Sequence, residues 1–160
     1  MTTPLRKLEL LGGYGLAFGL AAVVQAALAA TVALGPLGLR VASGPLPVIV
    51  VCCAVAILGM GLGLLASAFA HTEFQVVQFF PATILPQLLL CGLLVPRAQL
   101  GPVLHAVSDL MPMSYAVDAM RHLSTESAVS GALIGDLGIV LGFAGLAVVL
   151  GATTLRRRTA

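Results

Sequence analysis

Apolar and polar stretches alternate along the chain, and the lengths of the apolar ones decide what they are. A helix needs about 20 apolar residues to cross the hydrocarbon core of a bilayer. Residues about 10–34, 46–70, 74–95 and 133–155 each meet that length almost without charge. The segment 97–131 differs in kind. Arg97, His105, Asp109, Asp118, Arg121, His122 and Glu126 stand among apolar residues there, too polar to cross and too apolar to be disordered. Val103, Leu104, Val107, Leu110 and Met111 fall at helical spacing, and Pro112 breaks that pattern. Ser114 is placed to cap a second short helix over Tyr115–Leu123. The pattern predicts one all-α membrane domain over residues 1–160, with four transmembrane helices and two short re-entrant or interfacial helices between the third and fourth. Residues 35–47, with Arg40 as their only charge, read as a turn. Residues 70–75 read as a tight hairpin connection.

The third stretch is the most unusual. Gln75, Gln78 and Gln87 lie in it, and Pro81 and Pro86 are expected to interrupt its helix, because each removes a backbone donor and clashes with the preceding turn. Membrane bundles tolerate such breaks where neighbouring helices or water satisfy the freed carbonyls. A broken, glutamine-bearing segment points to burial among helices near a transport path. Gln25, halfway along the first stretch, prefers a partner helix to lipid. Asp136 is expected in the first turn of the last helix, where its charge complements the macrodipole. The candidate path or gate residues are therefore Gln25, Gln78, Pro81, Pro86, Gln87, Asp118, Arg121 and Asp136. Gly15 and Gly19, and the series Gly59, Gly61 and Gly63, are expected to allow close helix packing.

Composition settles the class. Of 160 residues, 59% are hydrophobic and 9% charged, against about 25% charged in soluble domains. Such a chain cannot cover its surface with polar groups and is an integral membrane protein. A net charge of +2 without a basic, aromatic-interleaved run gives no nucleic-acid interface. The first apolar run is far longer than the roughly 7–15 residues of a cleavable signal. Lys and Arg outside the apolar stretches set an orientation: Arg6, Lys7, Arg156, Arg157 and Arg158 make five on one side, and Arg40, Arg97 and Arg121 make three on the other. By the positive-inside rule both termini are cytoplasmic, in a plasma membrane, and 97–131 faces outward.

Candidate chemistry is sparse. His105 with Asp109, and Asp118 with Arg121 and His122, have spacings that meet on a helix face. Such pairs suit metal binding or proton relay, but nothing supplies a third and fourth ligand at a recognisable spacing, so partly solvated ion pairs on an interfacial helix fit better. Cys52, Cys53 and Cys91 lie in apolar stretches without a metal or redox spacing and read as small buried hydrophobes. No nucleophile, base and orienter converge. GLGLL at Gly61 lacks the Lys-Ser/Thr ending of a phosphate loop. Neither enzymatic activity nor a cofactor is expected in this chain.

Three stretches together resemble one family. TTPLRKLELLGGYGLAFGL (Thr2–Leu20), LGLLASAFAHTEFQVVQFFPATILPQLLLCGLLVP (Leu62–Pro96) and LMPMSYAVDAMRHL (Leu110–Leu123) are similar to the membrane subunits of type 2 ATP-binding-cassette exporters. The most specific features are the short E-F-Q connection, the L-P-Q-L-L-L-x-G-L-x-x-P closure, and P-x-S/T-Y-A-x-D-A-x-R at Pro112–Arg121. The resemblance implies a permease that exports drugs, lipids or glycan-linked molecules, driven by a separate ATPase subunit and paired with a second permease half in the lipid bilayer. It implies that Pro4, Arg6 and Lys7 contact the ATPase and that 97–131 forms re-entrant outer helices acting as a gate. Family permeases usually have six spans; four here correspond to the C-terminal portion, as in a truncated permease or half of a split one. The competing readings are a non-transporting membrane scaffold or assembly factor, and a small pore.

Overall fold

The computed structural model describes residues 7–70 and 72–157, apart from the side chains of residues 7–12, 73, 76, 152 and 155–157. Among these residues it is all helical: α1 (Lys7–Leu34), α2 (Pro45–Phe69), α3 (Glu73–Leu90), a single 3-10 turn at Arg97–Gln99, α4 (Pro102–Asp109), α5 (Pro112–Thr125) and α6 (Gly131–Arg157). Three of these helices contain apolar stretches long enough to cross a membrane: Gly13–Leu34, Pro45–Phe69 and Gly131–Gly151. The apolar part of α3, Val77–Leu90, is shorter. The chain is thus a multi-pass helical membrane protein.

Proline placement draws several of these boundaries. Pro45, Pro102 and Pro112 each open a helix, where the missing N–H is an orphan in any case. Ser114 therefore caps nothing: α5 begins at Pro112, and Ser114 is buried in its first turn. Pro81 and Pro86 behave differently from the expectation. Helix α3 runs through both without a break. The Gln87 side-chain amide donates to the Thr83 carbonyl at 3.1 Å, beside the Ala82 carbonyl that Pro86 leaves without its usual donor. At its N-terminus α3 is capped by Thr72, whose hydroxyl accepts from the Gln75 amide at 3.2 Å. It ends at Leu90, short of 95, because Gly92 turns the backbone at φ +87°.

Helix α2 is the centre of the bundle. It packs most extensively on α6 and also against α1, α5 and α3. Close approach to α6 depends on Gly61, where an added Cβ would stand 3.0 Å from the Ala144 carbonyl, and on Gly151, which faces the backbone of Leu65. Gly59 and Gly63 meet nothing within 4 Å, so the packing face is narrower than the glycine series implies. Gly15 meets nothing either, and Gly19 only the tip of Met60.

Helix α5 packs lengthwise against both α2 and α6. Its Leu123 and Ala119 pack with Val48, Val51 and Leu133. Its Ala116 packs with Ala54, Leu58, Val140 and Ala144. Val48 to Leu58 is ten residues, so α5 descends about 15 Å along α2. The connection 35–44 meets the upper end of α5: the amides of Ala42 and Ser43 and the Ser43 hydroxyl all donate to the Leu123 carbonyl, at 3.1–3.3 Å.

Candidate functional site

Between α1, α2, α3 and α5 lies an open groove of about 1000 Å³. Its walls are apolar and small on α1 and α2 (Ala22, Ala26, Ala56, Gly59), with Phe80 and Ile84 from α3 and Met113 and Met120 from α5. The two methionines are seven residues apart and share a face of α5. Gln25 and Arg121 supply polar groups, and Arg121 is the one charged residue in the lining.

Arg121 also belongs to a charged network built on α5. Its guanidinium donates to the Gly92 carbonyl and lies 3.6 Å from Asp118. Arg97 forms the centre of that network. It is ion-paired to both Asp109 and Asp118 and sits over the Tyr115 ring at 5.9 Å, with only 14% of its side chain exposed. A guanidinium presents its donors in a planar fork, which suits two carboxylates from different helices. The Tyr115 hydroxyl donates to the Asp109 carbonyl at 2.7 Å, fixing the turn between α4 and α5. Buried Ser108 and Ser114 complete the joint: Ser108 donates to the Leu90 carbonyl and Ser114 to the Ser108 carbonyl, each at 2.8 Å. The end of α3 is thereby tied to α4 and α5.

A second cluster joins α5 to α6. His122 Nδ1 lies 2.7 Å from Glu126, and Nε2 lies 3.7 Å from Asp136. Hydrogen bonds from Ser130 and then His122 hold the Glu126 carboxyl below its ordinary pKa of 4.5. The last helix begins at Gly131, with Ser130 accepting from the Leu133 amide at 3.4 Å. Asp136 consequently lies in the second turn, not the first, and faces His122 instead of the helix terminus.

The predicted residues thus separate into groups. Gln25 and Arg121 meet at the groove; Asp118 and Arg121 share the Arg97 network; Asp136 belongs to the His122 cluster. Gln87 is 8% exposed and bonded within its own helix. Gln78, Pro81 and Pro86 are exposed on α3 and stand outside the groove lining. Pro4 and Arg6 lie outside the described residues, as does the side chain of Lys7. His105 and Asp109 do pair, at 3.3 Å. No group of three or more ligating side chains that could hold a metal occurs among the described residues.

The fold is that of a multi-pass helical membrane protein with an apolar groove. The family model for the ABC-2 type transporter matches residues 1–124, which takes in α1 to α4 and nearly all of α5. The chain belongs to that family. Comparison with curated proteins and with solved structures gives no match.

Proposed function

We propose that this chain is the membrane-spanning subunit of an ATP-driven exporter, with both termini in the cytoplasm and its path along the groove of α1, α2, α3 and α5. The observation that carries the reading is the meeting of Ala42 and Ser43 with Leu123. It brings the 35–44 connection and the C-terminal end of α5, from which the chain enters α6, to one end of the bundle, as four crossings require. Helix α3 then serves as the third crossing. Its 18 residues rise about 27 Å, close to the roughly 30 Å of the hydrocarbon core.

In this reading α4 and α5 form a re-entrant outer gate. Gln25 and Arg121 face the passing substrate, the Asp118 network holds the gate, and Asp136 ties it to the last span. Gln78, Gln87 and the two prolines shape the flexible third crossing. Pro4, Arg6 and Lys7 contact an ATP-binding-cassette ATPase on the cytoplasmic side, and a second permease half closes the groove. ATP binding draws the ATPase subunits together and tilts the permease halves, so that the groove opens outward. Drugs, lipids and glycan-linked molecules all suit an apolar path with few polar groups.

Co-expression with an ATP-binding-cassette ATPase tests this. The two should co-purify, and vesicles holding both should show ATP-dependent efflux. Ala26→Trp, which sets an indole into the groove, should lower efflux while co-purification persists. Failure to recover any ATPase points to the scaffold, and flux without ATPase points to the pore.

A further inference from the structure

The His122 cluster differs from the other ion pairs because it connects two helices through one titratable ring. Glu126 is on the same helix, four residues on, and its carboxylate meets Nδ1 at hydrogen-bond distance, 2.7 Å. Asp136 is on α6 and faces Nε2 from 3.7 Å. An imidazolium carries N–H on both nitrogens, whereas a neutral imidazole carries only one. The shorter contact, to Glu126, keeps the remaining proton on Nδ1 when the ring loses its charge. Nε2 then turns a lone pair toward the Asp136 carboxylate, and the attraction across the helix pair becomes a repulsion. Loss of one proton therefore cuts the link between helices and leaves the link within α5 intact.

Among the described residues, the surroundings supply no substitute cation. Arg97 and Asp118 act on Asp136 through space, but the Arg97 guanidinium is already committed to Asp109 and Asp118. Arg121 is turned to Gly92 and Asp118. Helix α2, packed against both α5 and α6, carries no charged residue, and Arg40, in the connection that abuts Leu123, is exposed. Ser130 donates to Glu126, holding that carboxylate ready as an anion.

We propose that His122 is a pH-operated latch, fastening α5 to the beginning of α6 while its ring is charged and releasing it when the ring is neutral. The latch closes as the ring gains a proton and opens as it loses one. The latch is a local property of α5 and α6, and its failure leaves the export reading untouched.

Hydrogen exchange on the full chain in phospholipid nanodiscs reads it directly. After correction for intrinsic exchange rates, backbone protection over residues 121–133 should be up to about fivefold greater at pH 5.5 than at pH 8, the change expected for a partly exposed ion pair. Asp136→Asn and His122→Gln should each abolish that difference, while His105→Gln should keep it. Should His122→Gln fail to fold, Asp136→Asn decides alone. Equal wild-type protection at the two pH values overturns the proposal, as does a pH difference that survives Asp136→Asn.

Discussion

Arg97 is the residue on which the α4–α5 segment depends, and its energetics follow from its partners. A guanidinium 14% exposed, between two carboxylates and an aromatic face, is stable only while those partners remain. Asp118→Asn leaves Arg97 with Asp109 alone and removes one charge-assisted hydrogen bond, so it should lower stability by about 1.5–3 kcal/mol in denaturant titrations of the detergent-solubilised protein. His105→Gln, which removes a half-exposed partner, should change it by less than about 1 kcal/mol. Gly92 makes a second prediction at this scale. Its φ of +87° disfavours any side chain, and an added Cβ would lie 2.8 Å from Arg97 Cγ. Gly92→Ala should cost about 1–3 kcal/mol, read in the same titration. The sequence shows His105 with Asp109 because four residues separate them on one helix. It hides Arg97 because its partners lie 12 and 21 residues away, and only the folded α4–α5 turn brings them together.

At the scale of elements, close packing and the short connections carry the stability. Gly61→Leu should force α2 from α6 and destabilise by about 1–3 kcal/mol. Gly63→Leu, facing open space, should change little. Both can be followed by thermal unfolding in detergent. The α5–α6 connection should respond to acid. The Glu126 pKa is lowered in the folded protein, so its contribution is fully present above about pH 4.5 and is lost as pH falls through the lowered value. Protection of residues 126–131 should therefore drop on acidification below pH 4.5, and Glu126→Gln should flatten that drop. Helix positions were legible from apolar length and from prolines and glycines at their ends. The continuity of α3 was not, because a proline shows which carbonyl loses its donor but not whether the surrounding packing keeps the helix whole. Asp136 was misplaced by a single half-turn: the helix starts two residues earlier than its apolar run, since Ser130 supplies the cap.

For the whole molecule, the arrangement of ends makes a prediction that needs no transport assay. With Cys52, Cys53 and Cys91 replaced by alanine, single cysteines at Leu37 and Ser127, both exposed, should react from one side of the membrane with an impermeant maleimide. A cysteine at Thr72 should react from the other. Labelling of Leu37 and Ser127 from opposite sides would remove the basis for treating α3 as a crossing. Composition alone places the chain in a membrane, and the quoted motifs lead to the ABC-2 type family. The groove was not legible, because its walls come from four helices whose relative rotation no local pattern specifies.

Helix α2 touches each of the other long helices, whereas α1 rests principally on α2 and is otherwise uncovered. Double-mutant cycles should register this as a hub-and-spoke map. Paired changes in α1 and α6 should sum to within about 0.5 kcal/mol, while either one combined with a change on the facing side of α2 should depart from additivity by more than that. A protein wired this way hands any push on its first helix to the rest through one shaft, so substitutions along α2 alter the hand-over itself and not merely the strength of a joint.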